Sequence, residues 1–304
     1  MPRSQRAKPI SLLTVARLNR YSWLRHGFTT RLPADLNLSY SAGQTPAQVE
    51  QNRRAVLRAL KAPRQPGRWQ LITLRQRHTD AIQVIIQEQG FPQRLGREPD
   101  GAVKLRGDAL ATNQPGLLLA VQVADCLPIL LVEPARRVVA AVHAGWRGTA
   151  RRIAEKTVGR LRQELSSDPR KLLAAIGPGI HRCCYEVGRE VVDVFASQFP
   201  DWQEFVRRTE PSPSEVHWQQ PLHSREVREP RPRPAVTAPA AETFHLDLVE
   251  ANRRQLRAAG LRAANLWASP LCTACRTDLF FSHRAEHGRT GRMMGLVGLA
   301  PGKR

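Results

Sequence analysis

Two apolar runs, Leu117–Val123 and Val138–Val142, constrain the fold of this chain more than any other feature. Both are rich in Val, Leu and Ala and lack alternation with polar residues, which predicts strands buried on both faces. The first run leads into Asp125 and Cys126, and the second leads into His143. Because strand ends hold side chains on rigid backbone, we expect these residues to build a functional site.

The rest of the 304-residue chain predicts mixed strands and helices without a strict β–α–β alternation. This pattern favours an α/β or α+β fold in a single domain. Residues 1–20 are predicted to be a partly ordered N-terminal arm, and residues 21–300 are assigned to the domain. Residues 208–241 are rich in Pro and Arg and cannot bury much surface, so we expect a flexible insertion there.

Local signals predict several individual elements. The segment Thr45–Gln48, with Pro at its second position, is typical of a helix start with a capping box. A 3.6-residue period predicts one helix over Thr149–Leu165. Residues 90–106 carry Gly, Pro and Arg and are predicted to be a loop. Leu279–Ser282 and Met293–Leu299 are predicted to be two closing strands.

The formal net charge of +21 admits a nucleic-acid partner or an anionic substrate. Arg is scattered along the whole sequence, however, and aromatic residues make up only 6% of it. A surface generally rich in Arg therefore explains the charge better than a dedicated nucleic-acid-binding face. No apolar run approaches the length needed to cross a bilayer, so a membrane partner is not expected.

The chain has five cysteines, an odd number spread over a long sequence, which does not resemble a secreted disulfide framework. We therefore expect a cytoplasmic location and reduced thiols. Cys183-Cys184 and Cys272-x-x-Cys275 are interpreted as reduced, partly buried thiols. A lone C-x-x-C without a second pair at suitable spacing is weak evidence for structural zinc.

His78, Cys126 and His143 form a candidate catalytic metal site, because imidazole and thiolate bind zinc and three protein ligands leave one position open. Their spacing is not that of a zinc finger and fits ligands drawn from three strand ends. Taken singly, each residue is better explained as a buried polar or small core residue. Copper accepts the same ligand types, although a multicopper oxidase needs more His than lie near this site.

The residues beside these ligands favour a site over a plain core. Asp125 can act as a base or orient a ligand. Arg147 lies in the Gly-rich turn Gly145–Gly148, which opens a predicted helix and is typical of anion binding. The intervening Trp146 fits an apolar wall of the site or a core position equally well.

Motifs along most of the chain resemble the laccase-domain family, once labelled multicopper polyphenol oxidases and now assigned as purine nucleoside phosphorylases. The motifs that carry the resemblance occur in one order. They are Leu36-Asn37-Leu38-Ser39, Glu50-Gln51-Asn52-Arg53-Arg54, Gly107-Asp108-Ala109-Leu110, Ala124-Asp125-Cys126-Leu127-Pro128, His143-Ala144-Gly145-Trp146-Arg147-Gly148, Ile176-Gly177-Pro178, Cys183-Cys184-Tyr185-Glu186-Val187, Phe280-Phe281-Ser282-His283-Arg284 and Thr290-Gly291-Arg292-Met293.

This resemblance implies an α/β single-domain, mixed-sheet, sandwich-like fold with flanking helices. It implies phosphorolysis of adenosine, inosine, guanosine and methylthioadenosine, with phosphate as co-substrate, and deamination of adenosine. The family's metal ligands fall on His78, Cys126 and His143, and the expected metal is zinc. A copper-dependent phenol oxidase and a basic nucleic-acid-binding protein remain the alternatives. We expect a monomer or a weak homo-oligomer.

Further roles are hypotheses based on the same resemblance. Arg147 is expected to bind phosphate, with Arg284 and Arg292 behind it. Asp125 or Glu186 is expected to manage protons. Asn37 and Ser39 are expected to contact the ribose, although an Asn-containing turn explains them equally well. The chain departs from the family's pattern at Arg77 and His283, where the family usually has Val and Tyr.

Overall fold

The computed structural model describes residues 10–33, 35–40, 43–62, 69–86, 94–208 and 242–301. The strands are β1 (Leu12–Leu13), β2 (Leu24–Thr29), β3 (Gln70–Arg75), β4 (Ile82–Ile85), β5 (Arg94–Arg97), β6 (Val103–Arg106), β7 (Ala109–Thr112), β8 (Leu117–Val123), β9 (Leu127–Glu133), β10 (Val138–Ala144), β11 (Leu173–Ile176), β12 (Glu186–Val187), β13 (Val206–Arg208), β14 (Phe244–Leu246), β15 (Leu266–Ala268) and β16 (Met293–Leu299). The α-helices are α1 (Ala16–Asn19), α2 (Pro46–Ala59), α3 (Trp146–Ala150), α4 (Ile153–Leu165), α5 (Arg189–Gln198) and α6 (Leu248–Ala258).

Two sheets carry most of these strands. The seven-stranded sheet has the order β1-β2-β16-β8-β3-β6-β5, and the six-stranded sheet has the order β15-β11-β9-β10-β7-β4. A small third sheet contains β12, β14 and β13. The seven-stranded sheet is mixed, because β3 runs parallel to β6 and β8 whereas β16 runs antiparallel to β8. The predicted mixed-sheet α/β class is confirmed.

The two large sheets pack face to face, which explains the apolar runs. Val139 of β10 lies in a core shared with Ile72 and Leu119 of the seven-stranded sheet. Val138 and Val142 of the same strand belong to a second core on the opposite face. Successive strand residues point to opposite faces, so a strand covered on both sides needs apolar residues at every position.

Helices cover the outer faces of both sheets. Helix α2 packs on the seven-stranded sheet, where Val56 and Leu57 join a cluster with Leu118. Helices α4 and α6 contribute Leu161 and Leu256 to the core on the outer face of the six-stranded sheet. The layers therefore run helix, sheet, sheet, helix, which is the predicted sandwich-like fold with flanking helices.

Helix α2 begins as its sequence predicts. The Thr45 side chain accepts a hydrogen bond from the Gln48 backbone N–H, and the Gln48 side chain accepts one from the Thr45 N–H. Further along the helix, the buried guanidinium of Arg53 contacts Glu98 at 2.5 Å and Asp100 at 3.3 Å. These ion pairs attach α2 to the turn that precedes β6.

The predicted loop over residues 90–106 is wrong, because β5 and β6 lie there. Strand β6 pairs in parallel with β3 and buries Val103 and Leu105 between polar neighbours. No strand is predicted for Leu127–Glu133, yet β9 occupies this segment with all seven residues buried. It pairs with both β10 and β11 in the centre of the six-stranded sheet.

The predicted helix over Thr149–Leu165 is two helices. Arg152 has a φ of 60°, a left-handed conformation that interrupts an α-helix, and it separates α3 from α4. Leu279–Ser282 forms turns rather than a strand, whereas the strand predicted at Met293–Leu299 is confirmed as β16.

Residues 1–9 of the predicted arm and residues 209–241 of the predicted insertion lie outside the described residues. The division into an arm and a single domain over residues 21–300 stays a prediction. Within the described ranges, no helix combines the length and apolar character required to cross a membrane.

Candidate functional site

The three side chains proposed as metal ligands lie together. His78 follows β3, Cys126 lies between β8 and β9, and His143 is the penultimate residue of β10. Each offers one ligand atom, and these atoms lie within 4.8 Å of one another. The Cys126 Sγ is 3.9 Å from Nε2 of His78. The fold therefore brings ligands from both large sheets and from the connection between them to one point.

Asp108, immediately before β7, organises the loop that presents His78. Its fully buried carboxylate accepts hydrogen bonds from the backbone N–H groups of Arg77, His78 and Thr79, and from the Thr79 hydroxyl at 2.6 Å. His78 has a φ of 58°, so this tight turn needs such support. The carboxylate thus fixes the backbone on which the first proposed ligand stands.

The same carboxylate orients His143. The Nδ1–H of His143 donates to Oδ1 of Asp108 at 2.9 Å, which leaves Nε2 for a metal. Burial lowers the pKa of His143, but the negative charges of Cys126 and Asp108 outweigh it and raise this pKa to about 9. Burial also opposes ionisation of Asp108, yet its bonds to His143 and Thr79 hold the carboxyl pKa well below its usual range.

Asp108 has no assigned role in the prediction from sequence. Its signal is an acidic residue immediately before a short apolar strand, within the motif Gly107-Asp108-Ala109-Leu110. The partners that reveal its role lie about 30 residues away in either direction along the chain.

Cys126 is set up as a thiolate. Burial raises the pKa of its thiol, but the charge of His143 and hydrogen bonds with His143 and His78 lower it to about 6. The thiolate is the form that binds metals. Gly145 gives this sulfur its space, because a Cβ at that position would lie only 2.7 Å from the Cys126 Sγ. The site therefore requires glycine at position 145.

The donor set fits a metal ion. Two imidazoles and one thiolate are ligand types of catalytic zinc sites, where three protein ligands would leave a fourth position for water or substrate. Copper accepts the same ligand types, so the donors alone do not distinguish the two metals.

Asp125 is held firmly beside Cys126. It is buried with a φ of 83°, and both of its carboxylate oxygens accept hydrogen bonds. Oδ1 accepts the Thr273 hydroxyl at 2.6 Å, and Oδ2 accepts the Arg284 backbone N–H at 2.7 Å. Asp125 thereby connects the segment of the proposed ligand Cys126 to two distant loops. Its role in proton transfer stays a prediction.

The predicted phosphate-binding cations differ in their contacts. Arg147 is exposed in α3, and its guanidinium lies 4.3 Å from the centre of the Trp146 ring. Arg284 is exposed and donates from Nη2 to the backbone oxygen of Glu186 at 2.7 Å. Arg292 is half-buried and donates to the carbonyls of Thr290 and Gly291. The Glu186 side chain is exposed at the start of β12.

Tyr185 lies among these charged groups and was not singled out from sequence. Burial and then the negative charge of Cys126 raise the pKa of its phenol, whereas the charges of Arg284 and Arg147 oppose that rise. The Arg284 guanidinium lies 5.5 Å from the centre of the Tyr185 ring. Arg292 is also within electrostatic reach of Cys126 and Asp125. Burial lowers the pKa of the Arg292 guanidinium, and the negative charges of Cys126 and Asp125 partly offset this lowering. Arg292 therefore lies within electrostatic reach of the proposed ligand Cys126, and Arg147 and Arg284 lie within electrostatic reach of Tyr185.

Asn37 and Ser39 are buried and make internal contacts. The Asn37 Oδ1 accepts the backbone N–H groups of Ser39 and Arg292 at 3.0 and 2.9 Å. Asn37 and Arg292 also line a cavity of about 510 Å³, together with Arg31, Phe281 and Thr290. Contact of Asn37 or Ser39 with a ribose stays a prediction. The Asn37 side chain therefore holds the backbone of Arg292 at this cavity.

These observations define a class: an α/β sandwich with a His–Cys–His group between its two sheets that could hold a metal ion. The family model described as multi-copper polyphenol oxidoreductase laccase matches residues 21–225 and 220–300, and this chain belongs to that family. The resemblance found in the motifs is thereby confirmed.

Individual relatives extend over much of the chain. Purine nucleoside phosphorylase YlmD of Geobacillus stearothermophilus is 35% identical over 276 residues, covering 90% of this chain and 87% of the relative. Adenosine deaminase RL5, from an unknown prokaryotic organism, is 37% identical over 186 residues, covering 61% of this chain and 59% of the relative. The crystal structure of the hypothetical protein YfiH from Bacillus licheniformis is similar with a TM-score of 0.73 and 29% identity, covering 96% and 99% of the two chains.

Proposed function

We propose that this protein is a zinc-dependent purine nucleoside phosphorylase that releases a purine base and ribose-1-phosphate. Adenosine, inosine, guanosine and methylthioadenosine are its proposed substrates, and adenosine deamination is a second activity of the same site. The observation that carries the proposal is the His–Cys–His group with three arginines in its neighbourhood: Arg292 within electrostatic reach of Cys126, and Arg147 and Arg284 within reach of Tyr185. Relatives named purine nucleoside phosphorylase and adenosine deaminase support it. The cytoplasm is its proposed location.

Phosphorolysis requires a phosphate oxygen to bond to C1′ of the sugar while the bond between C1′ and the purine nitrogen breaks. Guanidinium groups bind phosphate through paired, charge-assisted hydrogen bonds. Arg147 suits this role because its guanidinium is exposed and the Trp146 ring supports it. Arg284 and Arg292 add positive charge beside the same ligands, which also favours the purine as it leaves with negative charge.

The departing purine needs a proton, and two carboxylates are the proposed groups that manage it. Glu186 is exposed and its backbone is held by Arg284, so its side chain can reach solvent and substrate. Asp125 has both oxygens engaged by Thr273 and Arg284, which favours an orienting contribution over free proton exchange. The cavity lined by Asn37 and Arg292 supplies space on the scale of small-molecule sites.

His78, Cys126 and His143 would hold the metal. Bound zinc supplies a Lewis acid that lowers the pKa of water and polarises a purine, the chemistry that deamination at C6 requires. Asp108 contributes by holding His143 in the required tautomer.

Copper-dependent phenol oxidation is the second candidate function, and the description of the matching family favours it. Zinc-loaded and copper-loaded protein, each with its metal content measured, should be assayed for phenol oxidation and for nucleoside turnover. Oxidation in the copper-loaded sample, together with inert nucleosides in the zinc-loaded sample, would establish this alternative.

The central experiment incubates the zinc-loaded protein with adenosine, with and without phosphate, and separates adenine, hypoxanthine and ribose-1-phosphate. Phosphate-dependent formation of adenine and ribose-1-phosphate is expected, and the absence of these products would refute the proposed phosphorylase activity. Deamination adds hypoxanthine or inosine.

Arg147→Ala should raise the KM for phosphate about tenfold or more and leave the KM for adenosine nearly unchanged, because one charge-assisted phosphate contact is lost. Arg160→Ala is the control, since Arg160 is a partly exposed arginine of α4 that pairs with Glu164. Equal KM values for phosphate in the two variants would show that Arg147 does not bind phosphate.

A further inference from the structure

The fold brings together four cysteines that are separate in sequence and distinct from the His–Cys–His group. Cys183 and Cys184 lie between β11 and β12, and Cys272 and Cys275 lie between β15 and β16. The four sulfur atoms are all within 4.8 Å of one another. Cys275 Sγ is 3.5 Å from Cys183 Sγ and 3.3 Å from Cys184 Sγ.

These separations distinguish a metal site from a disulfide. A disulfide requires sulfurs about 2.05 Å apart, and all five cysteines of the chain are free. A tetrahedral zinc ion with zinc–sulfur bonds of about 2.3 Å places its four sulfurs about 3.8 Å apart, inside the observed range.

The backbone around Cys272 favours a thiolate at the centre of this cluster. The Cys272 sulfur is buried and accepts the His181 backbone N–H at 3.4 Å. The N–H groups of Ala274 and Cys275, inside the C-x-x-C turn, also point at it. Amides aimed at a cysteine sulfur stabilise its negative charge, which is the state a metal ligand needs.

We infer that Cys183, Cys184, Cys272 and Cys275 form a second metal site, which takes zinc or another thiophilic divalent cation of tetrahedral geometry. Four sulfur ligands complete the coordination, so this site is structural and leaves no position for substrate. Each thiol that becomes a ligand releases its proton to solvent, so four protons leave as one divalent cation binds, and the occupied site carries a net charge of −2.

The metal at this tetrathiolate site would join two loops that reach the His–Cys–His group. Thr273, between the last two cysteines, donates its hydroxyl to Asp125 beside Cys126. Cys184 is followed directly by Tyr185 and Glu186, and Gly179 pairs with Cys272 in an isolated bridge. A metal here would hold the positions of Asp125 and Tyr185 without touching substrate.

Metal counting tests the inference independently of the proposed enzyme activity. The full chain is expressed with zinc, purified under reducing conditions and analysed for metal and for protein. The wild type should hold two zinc ions per chain. Cys126→Ala should hold one, at the tetrathiolate site, and the double variant Cys183→Ser/Cys275→Ser should hold one at the His–Cys–His group.

Cobalt(II) in place of zinc identifies the ligands by thiolate-to-cobalt absorption, which grows with the number of sulfur ligands. Cys126→Ala should keep most of this absorption, and Cys183→Ser/Cys275→Ser should lose most of it. A chelator should lower the melting temperature of Cys126→Ala. The inference is overturned if Cys126→Ala binds no zinc and shows no cobalt–thiolate band, even where the double variant does not fold. Fewer than five titratable thiols in the denatured wild type would also overturn it, in favour of a disulfide.

Discussion

The Asp108 carboxylate accepts the Nδ1–H of His143 at 2.9 Å, and it also accepts the backbone N–H of His78 at 3.0 Å. One buried carboxylate therefore fixes the orientation of the imidazole ring of one proposed ligand and the backbone position of another. These ligands come from different sheets, since His143 lies in the six-stranded sheet and His78 follows a strand of the seven-stranded sheet. Asp108 thus aligns the two layers at the site.

Asp108→Asn should weaken zinc binding at the His–Cys–His group about 10- to 100-fold, because an amide carries no charge and replaces one of the two oxygens that accept from His143 and Thr79 with an N–H donor. Competition with a chromogenic chelator measures this affinity in the Cys183→Ser/Cys275→Ser background. Asp80→Asn is the control in the same loop, where Asp80 pairs with Lys156 near the surface. An affinity equal to that of this control would contradict the orienting role of Asp108.

Thr273→Val should lower kcat for phosphorolysis while the zinc content stays unchanged. The variant keeps the shape of the buried side chain but removes the hydroxyl that Asp125 accepts, which should also cost about 1–3 kcal/mol of stability. Thr157→Val, which removes a buried hydroxyl bonded to Ile153 in α4, is the control for stability alone. An unchanged kcat in Thr273→Val would show that the hydrogen bond from Thr273 to Asp125 does not contribute to turnover.

Arg53→Met should lower the free energy of unfolding by about 3–5 kcal/mol in urea denaturation. The variant leaves Glu98 buried with only Lys104 as an ion-pair partner, and an uncompensated buried charge is costly. The neighbouring Arg54 is exposed and pairs with Glu50 on the helix surface, so Arg54→Met should cost about 0–1 kcal/mol. Equal losses in both variants would show that the buried ion pair contributes no special stability.

Acidification should destabilise the fold through His26. Burial lowers the pKa of His26 to about 4, and its Nε2 accepts the Val15 backbone N–H at 3.1 Å. Between pH 6.5 and 4 the unfolded chain binds a proton that the folded chain does not. The free energy of unfolding therefore falls as the pH drops through this window, by up to about 3 kcal/mol. Urea denaturation at pH 7 and pH 4.5 should show a smaller loss for His26→Gln than for the wild type.

Patterns within the sequence predicted much of the fold, and their failures have physical causes. The runs of β8 and β10 are recognisable because both of their faces are covered, and the start of α2 carries its own caps. Strand β6 is short, and its pairing with β3 is decided by residues 31 positions away in sequence. The break at Arg152 has no local signal of the Gly or Pro kind.

For the candidate site, too, local sequence patterns revealed some residues, whereas contacts between distant segments revealed others. The ligands at the strand ends were located by pattern, whereas the family resemblance supplied the metal and the substrate. The role of Asp108 depends on contacts with segments on either side of it in sequence, and spacing does not reveal them. The four-cysteine cluster was interpreted as partly buried thiols because about 90 residues separate its two pairs in sequence.

The placement of His78, Cys126 and His143 has a consequence for unfolding. His78 extends from the seven-stranded sheet, His143 belongs to the six-stranded sheet, and Cys126 lies on the crossing between them. An ion bound to all three would cross-link the two sheets, because the sheets could not separate without breaking a bond between the metal and a ligand. Loss of metal and separation of the layers should then occur as one cooperative event, so the occupied centre would report on the integrity of the whole sandwich.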